Sequence, residues 1–121
     1  AKEFPNKVGY YAKDGINYEK IIAKQSDLGI HLAGIGLDSH IDLRDYFEKT
    51  TSGFVQGNFS EHFLTLPHEE FLPKLDVFIN QMSELSPEDR NGWVCGLGHG
   101  VLKTTPQENV KEFVSRIRES F

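Results

Sequence analysis

The stretch Gly92–Val110, GWVCGLGHGVLKTTPQENV, predicts a strand, a glycine-rich turn and a helix in direct succession. Trp93–Leu97 is a short apolar run typical of a buried strand. Glycines then alternate around His99. Thr105–Glu108 predicts a helix start with a capping box, in which Thr is the N-cap, Pro takes the first helical position and Glu follows three residues after the Thr. Such a strand–turn–helix unit is the building block of parallel α/β folds.

Three further units of the same kind precede this stretch. The predicted strands are Lys7–Ala12, His31–Leu37 and Gly53–Gln56, and the predicted helices are Ile16–Gln25, Asp42–Lys49 and one within Pro67–Met82. Alternating strands and helices imply a parallel sheet with right-handed crossovers. We therefore predict an α/β fold of four consecutive βα units in a single domain, residues 1–121. Four units are half of a (β/α)8 barrel, although a small open sheet has the same order.

The segment between the third strand and its helix is long and apolar. It contains Phe59, Phe63 and Leu64, so we expect it to pack against the core rather than to form a free loop. Pro73 is expected to start or kink the following helix, because proline lacks a donor and clashes with the preceding turn.

Composition and charge exclude several functional classes. The chain has 121 residues, is 38% hydrophobic and carries a formal net charge of −5, which argues against general nucleic-acid binding. No apolar run approaches the ~20 residues of a membrane span, and Ala1–Pro5 lacks the apolar part of a signal peptide. The single cysteine, Cys95, excludes an intramolecular disulfide. We expect a cytoplasmic protein that binds neither nucleic acid nor membranes.

Polar or glycine-rich residues follow each predicted strand directly. Functional sites in parallel α/β folds lie beyond the carboxyl ends of the strands, so these clusters are expected to share one rim. The clusters are Lys13–Gly15, Asp38–His40, Gln56–Asn58 and Gly98–Gly100. We predict a ligand site there, with His99 as the principal contact and Asp38, Gln56, Asn58 and Lys13 as weaker candidates.

His99 is the strongest candidate because of its neighbours and its chemistry. Flanking glycines remove side-chain bulk, and imidazole can donate, accept or titrate near neutral pH. The same glycines also allow a phosphate-binding turn. The other histidines are expected to be structural or solvated, and no histidine pair has zinc-ligand spacing with a third ligand nearby, so we predict no metal site. Strand alternation puts Cys95 on the side of Leu97 and His99, as a core residue or, alternatively, facing the barrel interior.

The ordered motifs resemble the carboxyl-terminal half of the uroporphyrinogen decarboxylase family over nearly the whole chain. They are YYAKDG at 10–15, GIGLD at 34–38, FVQGN at 54–58, and GLGHG at 96–100 followed by TPQENV at 105–110. The last pair is the most specific. The resemblance implies the second half of a (β/α)8 barrel.

The resemblance also implies an activity and a site. It implies a cytoplasmic homodimer that removes four acetate carboxylates from uroporphyrinogen, giving coproporphyrinogen, without a metal or an organic cofactor. The histidine of the family's GHG motif contacts the substrate. That role falls on His99, which we expect to hydrogen-bond a carboxylate of the tetrapyrrole, while Asp38 and Gln56–Asn58 shape the rim.

Other parts of the family pattern do not occur in this sequence. Its RQAGRY segment with paired arginines, its FSDI aspartate, and a tyrosine and a serine of the amino-terminal half are absent. The sequence also has GLDS where the family has GLDW, and QGNFSE where it has QGNLDP. We therefore expect this chain to be part of an enzyme, to associate with the missing amino-terminal half, and to be inactive alone.

Two alternatives stay open. Related methyltransferases of the same superfamily carry a zinc site with a cysteine where His99 stands, and about one equivalent of bound zinc would favour that reading. A half-barrel with two open edge strands could also pair with itself as a non-catalytic dimer.

Overall fold

The computed structural model describes residues 2–11, 13, 18–49 and 52–121. Strands and helices alternate through this part of the chain in the predicted order. The strands are β1 (Gly9–Tyr11), β2 (Gly34–Gly36), β3 (Phe54–Gln56) and β4 (Trp93–Val94); the helices are α1 (Tyr18–Leu28), α2 (Leu43–Lys49), α3 (His68–Ser83) and α4 (Gln107–Ser120). A 3₁₀ turn, Phe63–Thr65, precedes α3. None of the described helices has the length and apolarity needed to cross a membrane.

The four strands form one parallel sheet in the order β1-β2-β3-β4. Gly34 pairs with Gly9 on one side and with Phe54 on the other, and Gln56 pairs with Val94. Each strand therefore lies beside the next one along the chain, which is the order found in a barrel. The predicted fold class, an α/β fold of four βα units forming half of a (β/α)8 barrel, is confirmed.

One face of the sheet and the helices enclose the core. Ile35 and Val55 from the sheet are 2% and 1% exposed. The connection after β3 contributes Phe59, whose ring lies 5.2–6.2 Å from the rings of four other phenylalanines, Phe63, Phe71, Phe78 and Phe113. Phe59 and Leu64 are buried, so the prediction that this connection packs against the core is confirmed.

Helix α1 runs three residues further than predicted. It ends at Leu28, and Gly29 follows with a φ of +60°. The Gly29 N–H donates to the Ser26 carbonyl and the Ile30 N–H to the Gln25 carbonyl. These two bonds form a Schellman motif, in which a left-handed glycine satisfies the last helical carbonyls. The predicted end at Gln25 is therefore wrong, and Gly29 is the sequence signal that marks the true end.

Helix α3 begins at His68, so the prediction that Pro73 starts this helix is wrong. Pro73 lies inside the helix and is exposed, as is Glu69, the residue four positions earlier. The carbonyl of Glu69 would normally accept a bond from the residue that Pro73 replaces. Because both residues face solvent, water can take the place of that donor.

The capping box predicted at the start of α4 is not formed. Pro106 is the N-cap without a side-chain cap, and the Thr105 hydroxyl has no hydrogen-bond partner within the described residues. Asn109 anchors this end instead. Its Nδ2 donates to the carbonyls of Leu64 and Leu66, at 2.9 and 2.8 Å, and its Oδ1 lies 3.0 Å from Nδ1 of His68. Asn109 is fully buried, so tertiary hydrogen bonds fix where α4 starts.

Candidate functional site

The face of the sheet opposite the helices carries a cavity of about 520 Å³ that extends to the carboxyl ends of the strands. Its floor is formed by aromatic rings that lie directly over glycines. The Phe54 ring covers Gly34, and the Tyr11 ring covers Gly36. The lining at the carboxyl-terminal end includes Gln56, Leu97, His99, Gly100 and Val101. This is the inner face of the half-barrel, where the sequence predicted a site.

The turn that carries His99 is held by its neighbours. The Gly98 N–H donates to the Phe59 carbonyl at 2.8 Å. A side chain at Gly98 would lie 2.4 Å from the Ser39 nitrogen, so the turn after β4 packs tightly against the loop after β2. On the other side, the Tyr11 hydroxyl donates to the Gly98 carbonyl. These contacts fix the backbone next to His99.

His99 itself is exposed on this fixed turn. Its Nδ1 lies 3.4 Å from the Gly100 carbonyl, a distance at which a hydrogen bond is weak. The imidazole lines the cavity and lies at its solvent-facing mouth. Among the described residues that line this cavity, His99 is the one with a basic side chain. This arrangement suits an imidazole that binds an anionic or polar ligand.

Gln56 lies beside His99 in the same cavity. It is the last residue of β3, its side chain is exposed, and its Cγ and Nε2 lie 3.6 Å from the position that a Cβ at Gly96 would take. Glycine at position 96 therefore leaves the room that the Gln56 amide occupies. Gln56 and His99 thus line the same cavity.

Asp38 and Asn58 lie in the wall behind the cavity, and each is 8% exposed. The Asn58 Nδ2 donates to the carbonyls of Asp38 and Ile41, at 2.7 and 2.5 Å. The Asp38 Oδ1 accepts from the His40 N–H at 2.9 Å. Both side chains hold the loop between β2 and α2 in place. The structure therefore gives them a role in shaping the rim and does not expose them to the cavity.

Lys13 is exposed just beyond β1, and its predicted neighbours Asp14 and Gly15 lie outside the described residues. Cys95 packs against the helix-facing core together with Leu97, so the alternative that its thiol faces the barrel interior is wrong. The strand places Val94 beside Gln56 and thus turns Cys95 to the opposite face. Burial raises the pKa of the Cys95 thiol to about 12.

Three of the four arginines of this chain have partners away from the cavity. Arg44 pairs with Glu84 at 3.1 Å, and Arg116 pairs with Asp76. Arg90 donates to the carbonyls of Met82 and Leu85 and lies over the Phe121 ring. Within the described ranges, no three His, Cys, Asp or Glu side chains come together as they would around a metal ion. The chain therefore supplies the cavity with an imidazole, an amide and aromatic surface.

Tyr11 and Asn109 are the residues that the sequence reasoning missed. Both lie in motifs that were noticed, YYAKDG and TPQENV, but neither was given a role. A tyrosine on a strand whose neighbour reads Gly-Ile-Gly was a signal for Tyr11, because the glycines make room for a large ring on the adjacent strand. Asn109 carried no such signal, since its partners are 41 to 45 residues away.

The fold and the cavity define the class: this is part of a parallel α/β barrel whose site lies at the carboxyl ends of its strands. A family model described as uroporphyrinogen decarboxylase (URO-D) matches residues 2–120. Because this match covers nearly the whole chain, the chain belongs to the uroporphyrinogen decarboxylase family. The resemblance seen in the motifs is thereby confirmed.

Individual relatives agree with the family. The chain is 33% identical over 79 residues to uroporphyrinogen decarboxylase of Chlamydia trachomatis serovar L2. The matched segment covers 64% of this chain and 22% of that protein. It is 31% identical over 94 residues to uroporphyrinogen decarboxylase of Solibacter usitatus, covering 74% of this chain and 26% of that protein. The matched segments thus span about a quarter of the length of these relatives.

Proposed function

We propose that this chain is the carboxyl-terminal half of a uroporphyrinogen decarboxylase barrel and that His99 binds a carboxylate of the tetrapyrrole substrate. The observation that carries this proposal is the exposed imidazole on a fixed turn at the mouth of the inner cavity. Membership of the decarboxylase family supports the substrate class.

The proposed reaction converts uroporphyrinogen to coproporphyrinogen by releasing four carboxylates as carbon dioxide. Protonation of a pyrrole ring makes that ring the sink for the electrons left when each carbon–carbon bond breaks and carbon dioxide leaves. A proton then adds to the side-chain carbon that lost the carboxylate, giving a methyl group, and the ring gives back its own proton. The substrate carries several carboxylates, and each needs a donor or a cation. His99 supplies one such donor, and Gln56 supplies an amide beside it.

The remaining partners belong, in this proposal, to the amino-terminal half of the barrel. The family's paired arginines and its FSDI aspartate do not occur in this sequence. We therefore propose that the 121-residue chain alone does not decarboxylate its substrate and that activity requires the other half. We further propose that the assembled enzyme is a cytoplasmic homodimer that works without a metal or an organic cofactor.

The test of this proposal is decarboxylation by the full polypeptide that contains these residues. His99→Ala removes a charge-assisted hydrogen bond of roughly 1.5–3 kcal/mol, so kcat/KM should fall about 10- to 100-fold. His62→Ala is the matched control, because His62 is an exposed histidine in the connection before α3. Its variant should keep wild-type kcat/KM.

Two results decide the outcome. A polypeptide that releases no coproporphyrinogen from uroporphyrinogen would refute the activity. A His99→Ala variant as active as the wild type would refute the role of His99 while leaving the activity intact. Mixing the 121-residue chain with a separately produced amino-terminal half should restore activity, whereas the chain by itself should show none.

A further inference from the structure

We propose that Tyr11 is a positioning residue for His99, acting from the far edge of the sheet through the Gly98 carbonyl. This inference rests on the proposed function, because it assigns a consequence for catalysis to the turn that carries His99. Tyr11 does not need to touch the substrate for this role. It acts by holding the peptide that precedes the imidazole.

The Tyr11 ring is placed by the strand beside it. Tyr11 ends β1 and pairs with Gly36 of β2. A Cβ on Gly36 would lie 2.8 Å from Cδ2 of the Tyr11 ring and 3.4 Å from its Cβ, so the ring rests directly on the glycine backbone. The ring can cross β2 only because position 36 has no side chain. Its hydroxyl is thereby carried toward the opposite edge of the described sheet.

The hydroxyl reaches the turn after β4. It donates to the carbonyl of Gly98, a residue 87 positions away in the sequence. Strands β1 and β4 lie at the two ends of the sheet order, so this bond spans the inner face. It joins the carboxyl ends of the first and last described strands, and it does so at the residue directly before His99.

The N–H and the Cα of Gly98 also make close contacts. Its N–H donates to the Phe59 carbonyl, and its Cα faces the Ser39 nitrogen too closely for a side chain. The Tyr11 bond supplies the contact to the remaining polar atom, the carbonyl oxygen. With all these contacts made, the peptide between Gly98 and His99 has one orientation. The direction in which the exposed imidazole leaves the turn is set by that peptide.

Loss of the hydroxyl should therefore loosen His99 without opening the floor of the cavity. Tyr11→Phe keeps the ring on Gly36 and removes the donor. Tyr18→Phe is the matched control: the Tyr18 hydroxyl donates a hydrogen bond to Asp45 between α1 and α2, away from the cavity. Both variants lose a tyrosine hydroxyl, but only the first loses the hydroxyl that contacts the His99 turn.

The experiment uses the full polypeptide and a double-mutant cycle. Tyr11→Phe should lower kcat/KM about tenfold, the effect of one hydrogen bond, whereas Tyr18→Phe should leave kcat/KM unchanged. In the His99→Ala background, Tyr11→Phe should change kcat/KM by less than about twofold, because residues that act through one another are not additive. A purely structural role would reduce activity equally in both backgrounds.

A second readout does not depend on activity. The imidazole resonances of His99 should shift or broaden in ligand-free Tyr11→Phe and stay in place in Tyr18→Phe. Unchanged His99 resonances, or an equal loss of kcat/KM in both backgrounds, would overturn the inference. If His99→Ala alone leaves kcat/KM unchanged, the proposed role of His99 fails, and the resonances still report whether Tyr11 orders the turn.

Discussion

The segments that follow β2 and β3 differ from the segment that follows β4 in where their polar side chains lie. We call each such segment the exit of its strand. At the first two, Asp38 and Asn58 are buried, and both are bound to backbone groups of the loop between β2 and α2. At the last, His99 is exposed to the inner cavity on a turn whose backbone is held by others. All three residues lie in segments that follow strands, yet two hold the rim and one faces the inner cavity.

Burial separates the wall residues, Asp38 and Asn58, from His99, which is exposed to the cavity and is the proposed contact residue. A buried polar side chain must find its hydrogen bonds inside the protein, because leaving them unmade costs free energy. Asn58 meets this need with two carbonyls and has no donor to spare for a ligand. His99 keeps its polar atoms at the surface because backbone contacts at Gly98 order its turn.

The largest effect is expected at Asn58. Asn58→Ala removes the side-chain donor from the Ile41 carbonyl and from the Asp38 carbonyl, which keeps a bond from the Ile41 N–H at 3.3 Å, so the free energy of unfolding should fall by about 2–4 kcal/mol. Gln56→Ala, two residues earlier and exposed, should change it by less than about 0.5 kcal/mol. Denaturant titration of the two variants measures the difference. An equal loss of unfolding free energy in the two variants would contradict the different roles of the buried Asn58 and the exposed Gln56.

A smaller loss of stability is expected where the exit of β4 contacts the exit of β2. Gly98→Ala places a methyl group 2.4 Å from the Ser39 nitrogen, so the loops must separate at a cost of about 1–3 kcal/mol. Gly100→Ala is the matched control, since nothing lies within 4 Å of a Cβ there. Thermal unfolding should show a lower midpoint for Gly98→Ala alone. A Gly98→Ala variant as stable as the wild type would mean that the loops are not in close contact.

The last effect concerns Cys95, on the core side of the segment after β4, and is absent near neutral pH. The pKa of Cys95 is about 12 in the folded protein against 9.0 for an ordinary thiol, because the thiol is buried. The unfolded chain therefore loses this proton first as pH rises. The stability that Cys95 contributes is complete below pH 9 and declines toward pH 12, by at most about 1.4 kcal/mol per pH unit. The free energy of unfolding of Cys95→Ala, measured over the same pH range, should decline less steeply.

An equal slope for Cys95→Ala would contradict the burial of the thiol. The pKa of Tyr18 is also raised, to about 12, by burial and by its bond to Asp45, so the wild type loses further stability in alkali for an unrelated reason. Both proteins retain Tyr18. The difference between their slopes therefore reports Cys95.

The order of the elements could be predicted from the sequence because it depends on local signals. Apolar runs marked the strands, and the buried side chains of α3, including Leu75 and Phe78, recur at helical spacing. At the start of α4 the local signals misled because a tertiary contact decided the outcome. Thr105 had every feature of an N-cap, but Asn109, bound to two carbonyls of the preceding connection, fixes the start of α4.

The site could be predicted in part. Its place at the carboxyl ends of the strands follows from parallel topology alone. The sequence could not tell which polar residues face the cavity, because Gln56 and Asn58 are both amides, two residues apart on one strand exit. Nor could it reveal the bond from Tyr11 to Gly98, which joins residues 87 positions apart. Such pairings appear only once the sheet brings the strand ends together.

The central claim, that the inner face at His99 receives the tetrapyrrole, is tested most directly by the histidine ring resonances of the full polypeptide with and without uroporphyrin. This chain carries five histidines, of which His99 lines the cavity and His62 is exposed in the connection before α3. We predict that saturating uroporphyrin shifts the resonances of His99 and leaves those of His62 in place. Unchanged His99 resonances under saturation would contradict the claim.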